Sequence, residues 1–264
     1  MSKIYIVGDG ITDQYWSCNN LGKANEADTP LLRQRKPSKK QGGISFVRNC
    51  IRHLISPNDE QGGWNVIEDI GTSLWNITRY QVRGETYLTV ENECYRWKPE
   101  DYEEFINYKP TEDDIVVFWD DNKSDPYLLE CFYQEAACQG STIVVDSSRE
   151  DVFQAYPKAQ YFKLSYSEII ETIPERPRGC HLIVTARDGA QHIYDKEAAA
   201  CVDNYYVQTV KNPVDTIGAG DVFLARLVYG LWKHEELPDI IPEANRLARE
   251  SIGFPGCYFP KEKM

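Results

Sequence analysis

The sequence predicts an α/β fold, and three observations carry that prediction. Short apolar runs of strand length alternate with segments that have helical period. Five of those runs end in polar or acidic residues, as the strands of a doubly wound parallel sheet do at their carboxyl ends. The chain has 264 residues, 42% of them hydrophobic, which suits one large domain. We therefore predict a single domain over residues 1–264, a three-layer αβα sandwich with a mainly parallel sheet.

The elements follow one another in the order that such a sandwich needs. The predicted strands are Ile4–Val7, Ile115–Trp119, Thr142–Val145, Tyr161–Leu164 and Leu182–Val184. They lead, in turn, to Asp13, Asp120, Asp146, Ser165 and Thr185. Apolar residues at helical spacing predict helices over residues 46–55, 128–136, 224–231 and 244–252. Two segments, about 15–40 and about 75–97, lack helical period and are rich in Tyr, Trp, Thr and Val. The second predicts a hairpin that turns at Arg83-Gly84.

The most informative stretch is Asp215-Thr216-Ile217-Gly218-Ala219-Gly220-Asp221, directly before one of the predicted helices. Glycines at this place free backbone N–H groups to point at one spot, where the helix dipole also favours an anion. Asp221 then stands beside that anion site. A carboxylate there is useful if it accepts a proton from an attacking hydroxyl while the N–H groups stabilise a phosphoryl group.

Composition excludes several classes of function. The formal net charge of -12 argues against a nucleic-acid partner, because a phosphate backbone would be repelled. The eight cysteines form no Cys-x-x-Cys pair, so we expect no structural zinc site. We see no signal peptide and no apolar run of membrane-spanning length, and we expect a cytoplasmic protein with no membrane partner.

The stretch from Asp215 to Asp221 resembles the C-terminal signature of the PfkB-type (ribokinase-like) sugar kinases, Asp-Thr-x-Gly-Ala-Gly-Asp. The opening, Val7-Gly8-Asp9 to Tyr15-Trp16, is similar to that of the heptose-7-phosphate kinase branch of this family. The resemblance implies transfer of the γ-phosphoryl group of ATP, with Mg²⁺, to a hydroxyl of a sugar or sugar phosphate. The similarity to the heptose-7-phosphate kinase branch leads us to expect a phosphorylated acceptor. The resemblance leaves open whether a monovalent cation assists.

The resemblance also implies roles for individual residues. Asp221 would be the catalytic base, and the backbone of Gly218, Ala219 and Gly220 would be the anion hole. The acceptor would be bound by Asp13, Gly42, Gly43, Asp120, Lys123 and, from the predicted hairpin, Arg79. The nucleotide side would include Ser165, Thr185, Gly189, Asp215, Thr216 and Asn245. Glu168 would hold Mg²⁺ through water.

In this family, segments that match residues 15–40 and 75–97 form a small β-sheet lid over the sugar and often pair with a second subunit. We therefore expect a β lid here and a homodimer formed through it. The aromatic content of these segments fits an interface better than a free hairpin.

Several positions depart from the family pattern. Phe46 and Ser165 stand where the family has asparagines, and the turn from Thr185 to Gly189 is one residue short. Phe46 could stack on a base, so a nucleoside kinase of the same fold is one alternative. A catalytically inactive protein that binds sugar or nucleotide and regulates a partner is another. A nucleotide-binding oxidoreductase is excluded, because no Gly-x-Gly-x-x-Gly follows the first strand.

Overall fold

The structure, a computed structural model, describes residues 2–23, 30–55, 67–82, 85–96, 108–166, 176–196 and 199–260. Its strands are β1 Ile4–Lys23, β2 Pro30–Gly42, β3 Ile67–Val82, β4 Glu85–Arg96, β5 Ile115–Asp120, β6 Thr142–Ser147, β7 Tyr161–Ser165, β8 His181–Ala186, β9 Gly189–Lys196 and β10 Ala199–Tyr206. Its helices are α1 Gly43–Leu54, α2 Pro126–Gln139, α3 Val152–Ala155, α4 Ala219–Trp232 and α5 Leu237–Ser251.

The strands form one ten-stranded sheet in the order β10-β9-β8-β7-β6-β5-β1-β3-β4, with β2 paired to β1. The five strands predicted from apolar runs are adjacent in this sheet as β8, β7, β6, β5 and β1, and each pair of neighbours is parallel. Their carboxyl ends therefore lie along one edge, as predicted. The α/β prediction with a mainly parallel sheet is confirmed, and the antiparallel pairs among the described strands lie at the flanks of this parallel part.

Two apolar clusters hold the layers together, one on each face of the sheet. The first joins α1, α4 and α5 to the side chains of Ile115, Val117, Val144 and Ile183. The second joins α2 and α3 to the alternate side chains, among them Val116, Phe118, Ile143 and Val145. Successive side chains of a strand point to opposite faces, so a one-residue step along β5 or β6 decides which layer a residue meets.

The residues predicted to form a lid are strands that extend the main sheet. β1 continues for 20 residues and β3 for 16 residues, and the two stay paired in parallel up to Cys18 and Val82, with one register shift between Gly8 and Asp9. β2 and β4 pair antiparallel with them on the outside. The lid strands, as we call β2, β4 and the second halves of β1 and β3, are thus continuous with the central sheet. The predicted turn residues 83 and 84 lie outside the described ranges, between β3 and β4.

Candidate active site

The loop before α4 creates an open helix N-terminus. Gly218, the N-cap residue, has φ 81°, a left-handed conformation that favours glycine, and no side chain caps the helix. A Cβ at Gly218 would come within 2.9 Å of Phe46 and 3.2 Å of Cys257, so space as well as conformation requires glycine here. The Ala219 N–H donates to the Thr216 carbonyl at 3.3 Å, which closes the turn. The first amides of a helix have no acceptor within it, so this end of α4 can bind an anion.

Asp221 lies in the first turn of α4, beside these amides. Its Oδ1 accepts a hydrogen bond from the indole Nε1 of Trp119 at 2.8 Å. Burial, and next the charge of Asp146, raise the pKa of Asp221 to about 7, while Lys163 and the Trp119 hydrogen bond oppose the rise. A carboxylate with a pKa near neutrality is matched to proton acceptance at physiological pH.

Two charged residues below Asp221 come from neighbouring strands. Asp146 ends the apolar part of β6, and its Oδ2 lies 2.8 Å from Nζ of Lys163 on β7. Both side chains are mostly buried, with 12% and 6% exposed. Nζ of Lys163 would also lie 3.0 Å from a Cβ at Gly220. The ammonium group of Lys163, paired with Asp146, therefore stands close to the N-terminus of α4, where it can also contact a phosphate.

Sequence reasoning did not single out Lys163 or Trp119. A signal for Lys163 was present, because a lysine inside the apolar strand Tyr161-Phe162-Lys163-Leu164 is costly unless it is paired. For Trp119 the signal was weaker. Only the alternation of β5 shows that Trp119 shares a face with Ile115 and Val117, and that face packs toward α4.

The predicted acceptor residues on β1, β2 and β3 come together. Oδ1 of Asp13 accepts a hydrogen bond from Nε of Arg79 at 3.0 Å. Its Oδ2 lies 2.7 Å from the place where Gly42 would carry a Cβ, and 3.7 Å from Sγ of Cys257. Burial raises the pKa of Asp13, and the Arg79 guanidinium opposes that rise. Gly43, with φ 55°, begins α1 directly behind Gly42 and approaches the Asp9 carbonyl too closely for a side chain.

Two buried polar atoms on this side have no hydrogen-bond partner among the described residues. They are the hydroxyl of Tyr15 and Nε1 of Trp75. Tyr15 is 6% exposed, lies two residues beyond Asp13 on the same face of β1, and is aligned with Arg79 on β3. A buried polar group without a partner is unfavourable, so both atoms are places where a further hydrogen-bond partner would be stabilising.

Lys123 reaches the same region from the loop after β5. Asp9 is fully buried, and its carboxylate accepts hydrogen bonds from the backbone N–H groups of Asp121 and Lys123, which holds this loop in place. Nζ of Lys123 is paired with Asp121, lies 3.6 Å from Oε2 of Glu91, and stands 5.9 Å from the centre of the Trp75 ring.

Asp120 does not join the acceptor group, although it was predicted to do so. It is 1% exposed, and its carboxylate accepts hydrogen bonds from the Tyr156 hydroxyl at 2.9 Å and the Asn122 N–H at 3.0 Å. The Arg149 guanidinium is 3.8 Å away. Strand alternation turns Asp120 toward the α2 and α3 layer, so it lies on the opposite face from Trp119 and Asp221.

A cleft of about 1100 Å³ opens on the other side of the α4 N-terminus. Its lining includes the predicted nucleotide-side residues Ser165, Thr185, Gly189, Thr216 and Asn245. The Asn245 amide donates to the Tyr205 carbonyl at 3.0 Å, and the Thr185 hydroxyl donates to the Leu164 carbonyl at 3.2 Å. Lys163, Ala219 and Gly220 also line this cleft, so it reaches the anion site.

Asp215 is placed differently from the other predicted nucleotide-side residues. Its Oδ1 accepts from the Ile217 N–H at 3.0 Å and its Oδ2 from the Gly256 N–H at 2.9 Å. It therefore connects the loop before α4 to the C-terminal segment. Gly256 also lies against Lys40 of β2, whose Nζ donates to the Pro255 carbonyl.

Glu168, the predicted magnesium residue, lies outside the described residues. Among the residues that are described, no group of three or more His, Cys, Asp or Glu side chains is arranged to hold a metal ion. None of the helices in the described residues is long and apolar enough to cross a membrane.

Comparison with solved structures defines the class of fold. Phosphofructokinase-2 from Escherichia coli in a tetrameric inhibited form superposes with a TM-score of 0.73 at 16% identity, covering 96% of this chain and 94% of that one. The same enzyme in complex with potassium gives 0.70 at 15% identity, with 98% and 95% covered. Ribokinase from Arabidopsis thaliana complexed with ribose and ATP gives 0.64 at 12% identity, with 97% and 95% covered. The fold is ribokinase-like.

Sequence comparison finds a family match in the C-terminal part. Residues 180–264, which contain α4 and its loop, match the model of the pfkB family of carbohydrate kinases, and the resemblance predicted from the motif is confirmed for this stretch. The bifunctional protein HldE of Hydrogenovibrio crunogenus is 23% identical, over 94% of this chain and 58% of its own length. The chain thus spans little more than half of that relative.

Proposed function

We propose that this protein is an ATP-dependent kinase that transfers the γ-phosphoryl group to a hydroxyl of a sugar or sugar phosphate. One observation carries the proposal. Asp221 stands at the open N-terminus of α4, between a buried polar group around Asp13 and a large cleft that reaches Gly220. A base placed between an acceptor site and an anion site is what phosphoryl transfer requires.

Each group has a role in the transfer. The acceptor oxygen forms a bond to the γ-phosphorus as the bond from that phosphorus to the β,γ-bridging oxygen breaks, and ADP leaves. Asp221 takes the proton of the acceptor hydroxyl. The Ala219 N–H already donates to the Thr216 carbonyl, so the amides of Gly218 and Gly220, with Lys163 beside them, stabilise the charge on the phosphoryl oxygens.

The choice of ATP as donor rests on the cleft and on the pfkB match of residues 180–264. Mg²⁺ would neutralise the phosphates when bound. A magnesium ion held mainly by phosphates and water needs few protein ligands. Glu168 is proposed to order its water shell. A requirement for a monovalent cation is worth measuring, because one relative was solved with potassium.

Two observations bear on the acceptor and point in different directions. The N-terminal motif resembles enzymes that act on a sugar phosphate. The cations around Asp13 are however already paired, Arg79 with Asp13 itself and Lys123 with Asp121. A dianionic acceptor would have to draw one of these cations from its carboxylate, whereas a neutral acceptor would leave both ion pairs intact. The charge balance favours a free sugar.

The alternatives lose support from the structure. Phe46, which motivated a nucleoside acceptor, is 7% exposed and packs in the core against the α4 loop, so its ring offers no free face for a base. An inactive regulator would gain nothing from a carboxylate whose pKa is about 7 beside an anion site.

A coupled assay of ADP release tests the proposal. The purified protein with ATP and Mg²⁺ should turn over at least one member of a panel of sugars and sugar phosphates, and Asp221→Asn should abolish that signal. No turnover with any member, or turnover that Asp221→Asn leaves intact, would refute it.

Comparing kcat/KM for a sugar phosphate and its free sugar, in wild type and Arg79→Ala, then decides the acceptor. A phosphate preference that Arg79→Ala removes would contradict the free-sugar assignment.

A further inference from the structure

We propose that Trp119 is a positioning residue for the catalytic base: its indole N–H holds Oδ1 of Asp221, so that Oδ2 is the oxygen presented to the acceptor hydroxyl. This inference rests on the proposed function, because it assigns an orientation to the base of that reaction. Trp119 does not touch the phosphoryl group, and no sequence motif indicates a role for it.

The central sheet explains why Trp119 reaches this point. In the register of β1, β5 and β6, Trp119 lies between Gly8 and Asp146. Lys163 follows on β7, one residue beyond the aligned pair Val145 and Phe162. Trp119, Asp146 and Lys163 therefore form a row across three adjacent strands, on the face covered by α4. Asp221, in the first turn of α4, lies over this row of three residues. Within the row, Trp119 donates a hydrogen bond directly to Asp221.

The chemistry of the indole makes the contact specific. An indole N–H donates a hydrogen bond and cannot accept one, so it pairs with a carboxylate oxygen and never competes for the proton. The bond at 2.8 Å has the length of a good hydrogen bond to a charged acceptor. Trp119 is only partly exposed and packs against the first apolar cluster, which restricts its ring. A rigid donor fixes the rotamer of Asp221, whereas a water molecule in the same place would not.

Five other titratable groups surround Asp221, and each of them affects its ionisation. They come from β1, β6, β7, α1 and the C-terminal segment, and are Asp13, Asp146, Lys163, Cys50 and Cys257. The two carboxylates favour the protonated form of Asp221, and Lys163 favours the ionised form. The thiols of Cys50 and Cys257 have pKa values raised by burial, so they stay neutral. Trp119 thus acts with Lys163 to favour the ionised form of the base.

Removal of the donor tests the proposal. In Trp119→Phe a ring remains but the N–H is lost, so the pKa of Asp221 should rise. The acid limb of kcat/KM should move upward by about one pH unit, and activity at pH 6.5 should fall about tenfold more than at pH 9. The KM for ATP should not change, because Trp119 does not line the nucleotide cleft. A residue that only supported packing would lower the rate by the same factor at every pH.

Trp232→Phe is the matched control. It removes the same kind of group, an indole N–H that donates to the Ser2 carbonyl at 3.2 Å, but from the far end of α4. Its pH profile should keep the wild-type shape. A wild-type profile in Trp119→Phe, at whatever rate, would overturn the proposal.

A measurement without substrate separates this proposal from the kinase assignment. The chain has six tryptophans, so an indole ¹H–¹⁵N spectrum shows few resonances, and Trp119→Phe identifies the one that belongs to Trp119. In wild type that resonance should titrate with a midpoint near pH 7, and in Asp221→Asn it should not titrate. Absence of titration in wild type, or titration that persists in Asp221→Asn, would refute the contact. If the contact is present and no sugar is turned over, the kinase assignment fails by itself.

Discussion

Replacing Asp221 with Asn should stabilise the fold while it removes catalysis. Asp221 is the residue on which catalysis is proposed to depend, and its charge is also unfavourable for the folded state, because burial and Asp146 oppose ionisation. Asn keeps the shape and can still accept the Trp119 hydrogen bond, but it has no charge to bury. Loss of a proton acceptor should lower kcat by about 10²- to 10⁴-fold.

The size of the stability gain follows from the pKa of Asp221. The ordinary value is 3.8 and the value in the folded protein is about 7. At 1.36 kcal/mol per pH unit, this difference corresponds to at most about 4 kcal/mol. Below about pH 4 the carboxyl is protonated in both states, so the two proteins should be equally stable. Between pH 4 and 7 the unfolded chain releases the proton and the folded chain keeps it, so wild type loses stability relative to the variant. Above pH 7 the difference should be constant.

Urea unfolding of both proteins at several pH values between 4 and 8.5 measures this difference. Asp113→Asn, which removes an exposed carboxylate in the turn before β5, is the control and should show no such trend. A variant less stable than wild type at pH 8, or a gain that does not depend on pH, would refute the reasoning. The expected result is a trade-off of stability for activity, which is common where an active site needs a buried charge.

Three further predictions concern other parts of the molecule. Lys163→Met removes a charge that lowers the pKa of Asp221, so the acid limb of kcat/KM should move upward and the KM for ATP should rise; a downward shift would contradict the arrangement. Leu88 and Val90 are exposed on the edge strand β4. If the protein forms the dimer that we expect through the lid strands, Leu88→Glu should convert it to monomers, measured by light scattering at micromolar concentration. A monomeric wild type would rule the dimer out. Glu168→Gln should raise the Mg²⁺ concentration needed for half-maximal rate more than it changes the sugar KM; a change in thermal stability alone would favour a structural role.

Much of the fold was predictable because its signals are local. Apolar runs placed β1 and β5 to β8, and helical spacing placed α1, α2, α4 and the C-terminal half of α5. The start of α5 at Leu237 was missed, because its first turns contain prolines at 238 and 242 that interrupt the pattern. The strands in the two segments without helical period were expected, but their continuity with the central sheet was not. Whether a strand joins one sheet or another depends on pairing over long distances, which local pattern does not report.

The residues of the site also fall into two groups, those that local motifs identified and those that only the structure showed. Asp221, the glycines before it and Asp13 were identified from short motifs, because each needs a particular residue at a particular spacing. Asp120 was chosen by the same reasoning, and the structure turns it to the opposite face. Its neighbour Trp119 contacts Asp221 instead.

The sequence by itself determined the class of fold, the loop that makes an anion site and the identity of the proposed base, since these depend on residues close together in the chain. Only the tertiary structure decided what surrounds the base. Trp119, Asp146 and Lys163 are far apart in sequence, and the parallel register of β5, β6 and β7 aligns them beneath α4. The pKa of Asp221 depends on burial and on charges from several strands, and both arise when the layers pack. The chemistry of the site therefore depends on which residues lie close together in space, and local sequence patterns do not encode this.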